Sequence, residues 1–266
     1  MIGPTAVQLT RSVEWADDGL IAEAMLYRAT AVLLGVAAVG FLVWTLRAPA
    51  SRRRFGFVAV ALSAVVAVSY LGMSLGVLRF ESLAGEAVPV TRFVGYLASV
   101  TGLLWVLTQI SGGGRTLFAL LEITFLGFIA GTLGSWFLAE PFSIVASVST
   151  LLTFGIVAYL LLVPGTRAVV ETTGDRILLY GKLRNLLLLA WAGYLVVAII
   201  SRQNLGLLDG FVGVFIGTYI DVLLYIGFGV ILLRHGTAID QVVDGGTTVA
   251  DDADGEPDSP NASAAD

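Results

Sequence analysis

Seven stretches, each long enough to cross a membrane and nearly free of charge, follow one another along the chain at 22–46, 55–78, 93–110, 115–137, 141–163, 183–201 and 209–233. A hydrocarbon core of ~30 Å needs about 20 apolar residues in helical form. No water serves an exposed amide there, so a helix that satisfies its own backbone is the form such a stretch takes. The pattern predicts an all-α membrane protein, a bundle of seven transmembrane helices. Only 13% of the residues are charged, against roughly 25% in soluble domains. All seven prolines (4, 49, 89, 141, 164, 257 and 260) lie outside these stretches or at their edges, where a missing N–H ends a helix without breaking it. The third and fourth stretches are the least clearly divided, because ISGGGRT alone separates them.

The charges between the stretches predict an orientation. Alternating spans place Arg47, Arg52, Arg53, Arg54, Arg115, Arg167, Arg176, Lys182, Arg184 and Arg234 on one side, and Arg11, Arg28, Arg79, Arg92 and Arg202 on the other. The richer side is expected to face the cytoplasm, with the N-terminus outside and the C-terminus inside a multi-pass protein of the plasma membrane. MIGPTAVQLTRSVEWADDG has no apolar core behind a basic start, so the first hydrophobic helix is expected to direct insertion itself. The organisation predicted is an extracellular segment over 1–21, a membrane domain over 22–236, and an acidic, Gly/Ala/Ser/Pro-rich cytoplasmic tail over 237–266 that is expected to be disordered.

Several function classes are disfavoured. There is no cysteine for thiol or disulfide chemistry, and a single histidine, His235, cannot build a multi-histidine metal cage. The net charge of −5 disfavours nucleic acid as a partner. No phosphate loop, nucleophile elbow or zinc motif is present, nor an evident inverted repeat of the kind that builds transporters. One lysine stands against fourteen arginines, and the tail is rich in Asp, a bias associated with very salty cytoplasms.

Two acids fall inside the apolar stretches, Asp221 in the seventh and Glu122 in the fourth. A charge near mid-bilayer costs about 2.5–3.5 kcal/mol on insertion scales, so each needs an account. Thr218, Asp221 and Tyr225 make a polar stripe at helical spacing that should face the bundle interior. The third stretch opens with Arg92 and continues that face through Gly95, Tyr96 and Ser99; the sixth offers Trp191 and Tyr194, the second Tyr70. One reading joins Asp221 to Tyr70 and Tyr194 by hydrogen bonds and to Arg92 by charge. The other leaves Arg92 snorkelling at the interface and Asp221 protonated on a neighbouring hydroxyl. Glu122, on a helix with Gly127, Gly131 and Gly134, reads as a protonated residue in a close helix seam. Trp44 and Trp136 read as interface anchors, and His235 as a cap at the negative end of the seventh helix.

In their order and their residues, these helices resemble the microbial (archaeal) rhodopsins of the bacteriorhodopsin type. The likeness is carried by SYLGMSLG (69–76), by TRFVGYL (91–97) after a loop containing GEAVPV, by KLRNLLLLAWAGYL (182–195), and by DVLLYIGFGVILLR (221–234). It implies that Arg92, Tyr70, Tyr194 and Asp221 form a counterion-like cluster, and that Trp191 packs where the family holds its retinal. Tyr96, Ser99, Trp191 and Tyr225 would line a vestigial or noncovalent chromophore pocket.

The departures carry as much information. The family attaches retinal to a lysine of the seventh helix, because a primary amine condenses with the aldehyde, and that position here is Tyr225. Lys182 reads as an ordinary charge at the cytoplasmic mouth of the sixth helix. The proton acceptor of the pumps falls at Gly95, the donor near Val106, and the release acids at Gln203 and Gly213. The prolines of the second, third and sixth helices fall at Ser63, Thr101 and Leu195. Pocket tryptophans are replaced by Tyr96, Ala146 and Ala198, the last two opening room for an apolar slot. The expectation is therefore an opsin-like membrane protein without covalent retinal, neither a light-driven pump nor an enzyme, with a structural, regulatory or signalling role. The alternatives are a sensor that binds retinal, a carotenoid or another isoprenoid noncovalently, and a passive ion or proton path. Its surroundings are the lipid bilayer and, as partner, a second copy or another membrane protein.

Overall fold

The computed structural model describes residues 4–83, 85, 87–201 and 205–251, with side chains between Ala22 and Asp244. Its helices are α1 (Pro4–Arg47), α2 (Arg53–Ser74), α3 (Thr91–Ser111), α4 (Gly114–Phe137), α5 (Phe142–Leu162), the short α6 (Pro164–Val170), α7 (Gly174–Ile200), α8 (Gly210–Arg234) and α9 (Gly236–Asp251). Seven spans are long and apolar enough to cross a bilayer, the first running Ala22–Arg47 within α1 and the fifth Phe142–Val170. This is a multi-pass membrane protein.

The helix ends follow local chemistry. Gly112 closes α3 in the left-handed conformation at φ 72°, and Gly114 (φ 68°) opens α4, so the ISGGGRT separator is a true break. Asp209 caps α8 by accepting from the Phe211 amide at 3.2 Å. At the other end of α8 the His235 ring donates from Nδ1 to the Ile231 carbonyl at 2.7 Å, and Arg234 sits in the last turn.

Besides the fifth span, which runs on through α6 to Val170 where 163 was expected, three boundaries differ from expectation. The second span stops at Ser74, not at 78, because the chain turns through Gly76 (φ 70°) and enters a hairpin of β1 (Arg79–Glu81) and β2 (Ala87–Pro89), antiparallel with Phe80 opposite Val88. The sixth span begins at Gly174, not at 183. Leu179, Tyr180 and Leu183 bury one face of that extension, while Arg176 donates to the carbonyls of Ile110 (3.0 Å) and Gln109 (3.2 Å), which α3 leaves open at its C-terminus.

The third correction concerns the tail. Residues 236–251 form α9, where disorder was expected from 237. Ala238, Ile239 and Val242 are buried on one face, Asp240 pairs with Arg52, and Thr173 hydrogen-bonds Gln241. Averaging over the thirty residues of 237–266 conceals this short apolar stripe. Residues 252–266 lie outside the described part.

The core sits between α1, α2, α3, α7 and α8, where Leu34, Phe55, Leu103, Leu107, Leu187 and Phe228 are all fully buried. The α4–α5 pair is packed by small residues. A side chain at Gly131 would come within 2.6 Å of Thr150 Oγ1 and 3.0 Å of the Ala146 carbonyl, so glycine there lets the two backbones approach. Beyond that seam α5 turns Phe142, Val145, Leu152 and Tyr159 outward, as a lipid-facing helix does.

Candidate functional site

Asp221, in the middle of α8, is completely buried and lies within reach of three other helices. Arg92 at the start of α3 donates from Nη2 to Asp221 Oδ2 at 2.8 Å. Tyr70 of α2 donates to the same oxygen at 2.5 Å, and Tyr194 of α7 donates to Oδ1. Tyr96, one turn beyond Arg92, lies 3.0 Å from Oδ1 and 2.8 Å from Oδ2, and receives Arg92 Nε at 2.6 Å. The carboxylate thus meets one guanidinium and three phenols. Charge-assisted bonds of this kind are about twice as strong as neutral ones. The guanidinium also lies 5.5–6.0 Å from the ring centroids of Tyr70, Tyr96 and Tyr194, within cation–π range.

One turn along α8 from Asp221, Tyr225 is 1% exposed, and its hydroxyl lies 2.7 Å from the hydroxyl of fully buried Ser99. This bond ties α8 to α3 one turn from the Asp221 cluster. Trp191 stacks on Phe125 (5.5 Å between centroids, 16° between planes) and on Phe128 (6.2 Å, 6°), joining α7 to α4. Gly95 faces α2: a side chain there would overlap Ser69 Oγ and lie 2.8 Å from Ser69 Cβ. Ala146 lies in the α4–α5 seam, 3.1 Å from where a side chain at Gly134 would begin, and Ala198 faces outward. These two small residues therefore open no slot in the interior.

Glu122 belongs to a different place. Its Oε1 lies 2.5 Å from Thr101 Oγ1 across the α3–α4 seam, while Oε2 is buried without a hydrogen-bond partner among the described residues. Thr101 also lies 2.7 Å from the Leu97 carbonyl. The Thr101 hydroxyl thus lies within reach of both the Glu122 carboxyl and its own helix's carbonyl, and it is the one polar partner of Glu122 across this seam among the described residues.

Lys182 is at the α9 end of the bundle. Its Nζ lies 2.9 Å from His235 Nε2, and with Nδ1 committed to Ile231 that nitrogen accepts. His235 stands ten residues beyond Tyr225 on the α8 path, about 15 Å along the axis. Gly213 is a half-buried turn of α8, Val106 is buried in α3, and Gln203 lies outside the described residues.

A seven-span bundle with an arginine–aspartate pair inside a cage of tyrosines defines the class: a membrane protein of the rhodopsin kind. The chain belongs to the Bacteriorhodopsin-like protein family, whose pattern it matches over residues 22–239. Sensory rhodopsin-2 of Haloarcula vallismortis is 30% identical over 224 residues, covering 82% of this chain and 88% of the relative. Bacteriorhodopsin-I of Haloarcula marismortui is 29% identical over 219 residues, covering 76% and 86%. Among solved structures, the thermophilic rhodopsin from Rubrobacter xylanophilus superposes with a TM-score of 0.78 at 21% identity, over 84% of this chain and all of that one. The relatives come from halophiles, as the arginine and aspartate bias anticipates.

Sequence reasoning placed Tyr96 on the pocket wall, whereas it is a direct partner of both Arg92 and Asp221. The signal was available, since residues four apart on a helix share a face. Phe125 and Phe128 carried no such signal, because apolar aromatics on α4 differ from lipid-facing ones only by which helix lies opposite.

Proposed function

We propose that this chain is a rhodopsin-family membrane protein that works without covalently bound retinal and without pumping ions, as a structural or regulatory component of the membrane. The observation that carries this reading is the Tyr225–Ser99 contact beside the closed Arg92–Asp221 pair. A Schiff base needs an amine, and a phenol cannot supply one. A carboxylate that would counter a protonated Schiff base here counters a guanidinium instead. Trp191 lies on two phenylalanines of α4, so its rings fill space from within the chain. Covalent retinal does not fit this residue set.

Pumping lacks its groups as well. Gly95 and Val106 hold no exchangeable proton, and a carboxylate at 95 collides with Ser69. Asp221 and Glu122 lie on different helices with separate partners, which argues against paired acid–base catalysis. The ten basic residues at the α9 end support an N-outside, C-inside orientation. The name of the Haloarcula vallismortis relative, a sensory rhodopsin, favours as second reading a sensor that holds retinal or a carotenoid noncovalently.

The test is to purify the full chain with and without added all-trans retinal, record visible absorbance, and reduce with borohydride. No retinyl adduct is expected on the protein. An adduct on Lys182 of the unchanged protein overturns the proposal. A band that gentle extraction removes moves the conclusion to the noncovalent sensor.

A further inference from the structure

At the end of the bundle where α9 lies, a cavity of about 610 Å³ opens between the last turns of α1, the start of α2, the end of α8 and α9. Its wall along α1 is apolar, formed by Gly40, Val43 and Trp44, and the last two also face outward. Its mouth carries two guanidiniums, Arg47 and Arg52, at the level where the first span ends and the second begins. Behind this wall Thr45 is fully buried, its hydroxyl turned to Gly56 of α2, where a side chain would overlap it.

We propose that this cavity is a binding site for an anionic phospholipid. The phosphate lies between Arg47 and Arg52, and one acyl chain follows Gly40, Val43 and Trp44 along α1. Three properties of the site call for this ligand. A cavity that is apolar on its membrane side and cationic at the bilayer boundary matches an amphiphile whose charge is at the headgroup. A tryptophan at that depth suits the interface between chains and headgroups. The charge balance is positive: Arg47, Arg52, Arg53 and Arg54 crowd eight residues of chain, and the carboxylate found among them is Asp240, bound to Arg52. Asp240 takes Nε (2.8 Å) and Nη2 of that guanidinium, which leaves the Nη1 edge for a second anion. Nη1 lies over Gly236, where any side chain would overlap it, so the absence of one keeps that edge in place. Arg53 is committed elsewhere, to the carbonyls of Ala48 and Leu46 at 3.1 and 3.3 Å.

The experiment uses the full chain in a neutral detergent and follows tryptophan fluorescence on titration with dioleoylphosphatidylglycerol, dioleoylphosphatidylcholine or inorganic phosphate. A saturable change with the anionic lipid is expected, absent in Trp44→Phe, and neither zwitterionic lipid nor phosphate reproduces it. Arg47→Gln should weaken binding about fivefold and Arg47→Gln/Arg52→Gln about 25-fold, while Arg54→Gln, whose guanidinium lies over the Phe55 ring, leaves it unchanged. Arg47→Gln keeps the Arg52–Asp240 pair, so it reads the site even if the double variant loses α9. Equal responses to both lipids, a response to phosphate alone, a response that survives Trp44→Phe, or equal effects of Arg47→Gln and Arg54→Gln each overturn the proposal.

Discussion

Asp221 and Glu122 are both acids inside spans, yet the protein treats them in opposite ways. Around Asp221 four helices converge, and both carboxylate oxygens are saturated by Arg92 and three tyrosines. Around Glu122 two helices meet, one oxygen has a single partner and the other has none among the described residues. A buried carboxylate is tolerated where its lone pairs are all engaged. The difference is one of partner count, and it separates a saturated polar centre from a sparsely bonded seam within one membrane domain.

The sharpest way to break this contrast is to remove one half of the charged centre. Arg92→Ala and Asp221→Ala should each cost about 3–5 kcal/mol, since either strands a buried charge. Unfolding of the purified protein in detergent measures it. The double variant should cost clearly less than the sum, and strictly additive losses would show that the two side chains do not act as a pair. Tyr70→Phe and Tyr194→Phe come next, at about 1–2 kcal/mol each, because the carboxylate keeps its other donors. No loss for either would leave the tyrosines as packing alone.

Glu122→Gln should be nearly silent, within about 1 kcal/mol, since the amide can still donate to Thr101. A loss comparable to that of Arg92→Ala would mean that the seam depends on its acid as the centre does on its pair, and erase the comparison. The smallest effect belongs to the exposed pair at the α9 end. The hydrogen bond from Arg52 holds the Asp240 carboxyl below its usual 3.8. A depressed acid contributes stability above its unfolded value and loses it as pH falls through the folded one. The protection of α9 amides, taken relative to their intrinsic exchange rate at each pH, should therefore fall as pH drops below that range, and Asp240→Asn should abolish the dependence. The pair is about one third exposed, so its contribution stays below ~1 kcal/mol and shrinks with salt.

Much of the architecture was legible because a bilayer imposes a length and an apolar content that few soluble sequences meet. The seven spans follow from that, while their ends do not. Residues 174–182 continue a helix whose buried face is set by α3 and not by lipid, so hydropathy gives no sign of it. The α9 stripe is three residues in a polar tail. Arg92, Asp221, Tyr70 and Tyr194 were identifiable as polar residues that need each other or need water. What had to be seen was distance: Tyr96 bridging the pair, Trp191 stacked on Phe125 and Phe128, and Ala198 facing outward where an interior slot was expected.

The contact between Gly95 and Ser69 has a consequence for any attempt to build a protonated Schiff base at position 225. Tyr225→Lys alone would set a second cation beside Arg92 with one carboxylate to share. A second acid at 95, the natural remedy, meets Ser69, and because Ser69 Cβ is part of the obstruction a rotamer change is not enough. A lysine at 225 with a second acid at 95 thus demands three coordinated replacements, at 225, 95 and 69. The small glycine on α3 and the serine on α2 act as one steric unit, so neither position can be changed on its own terms.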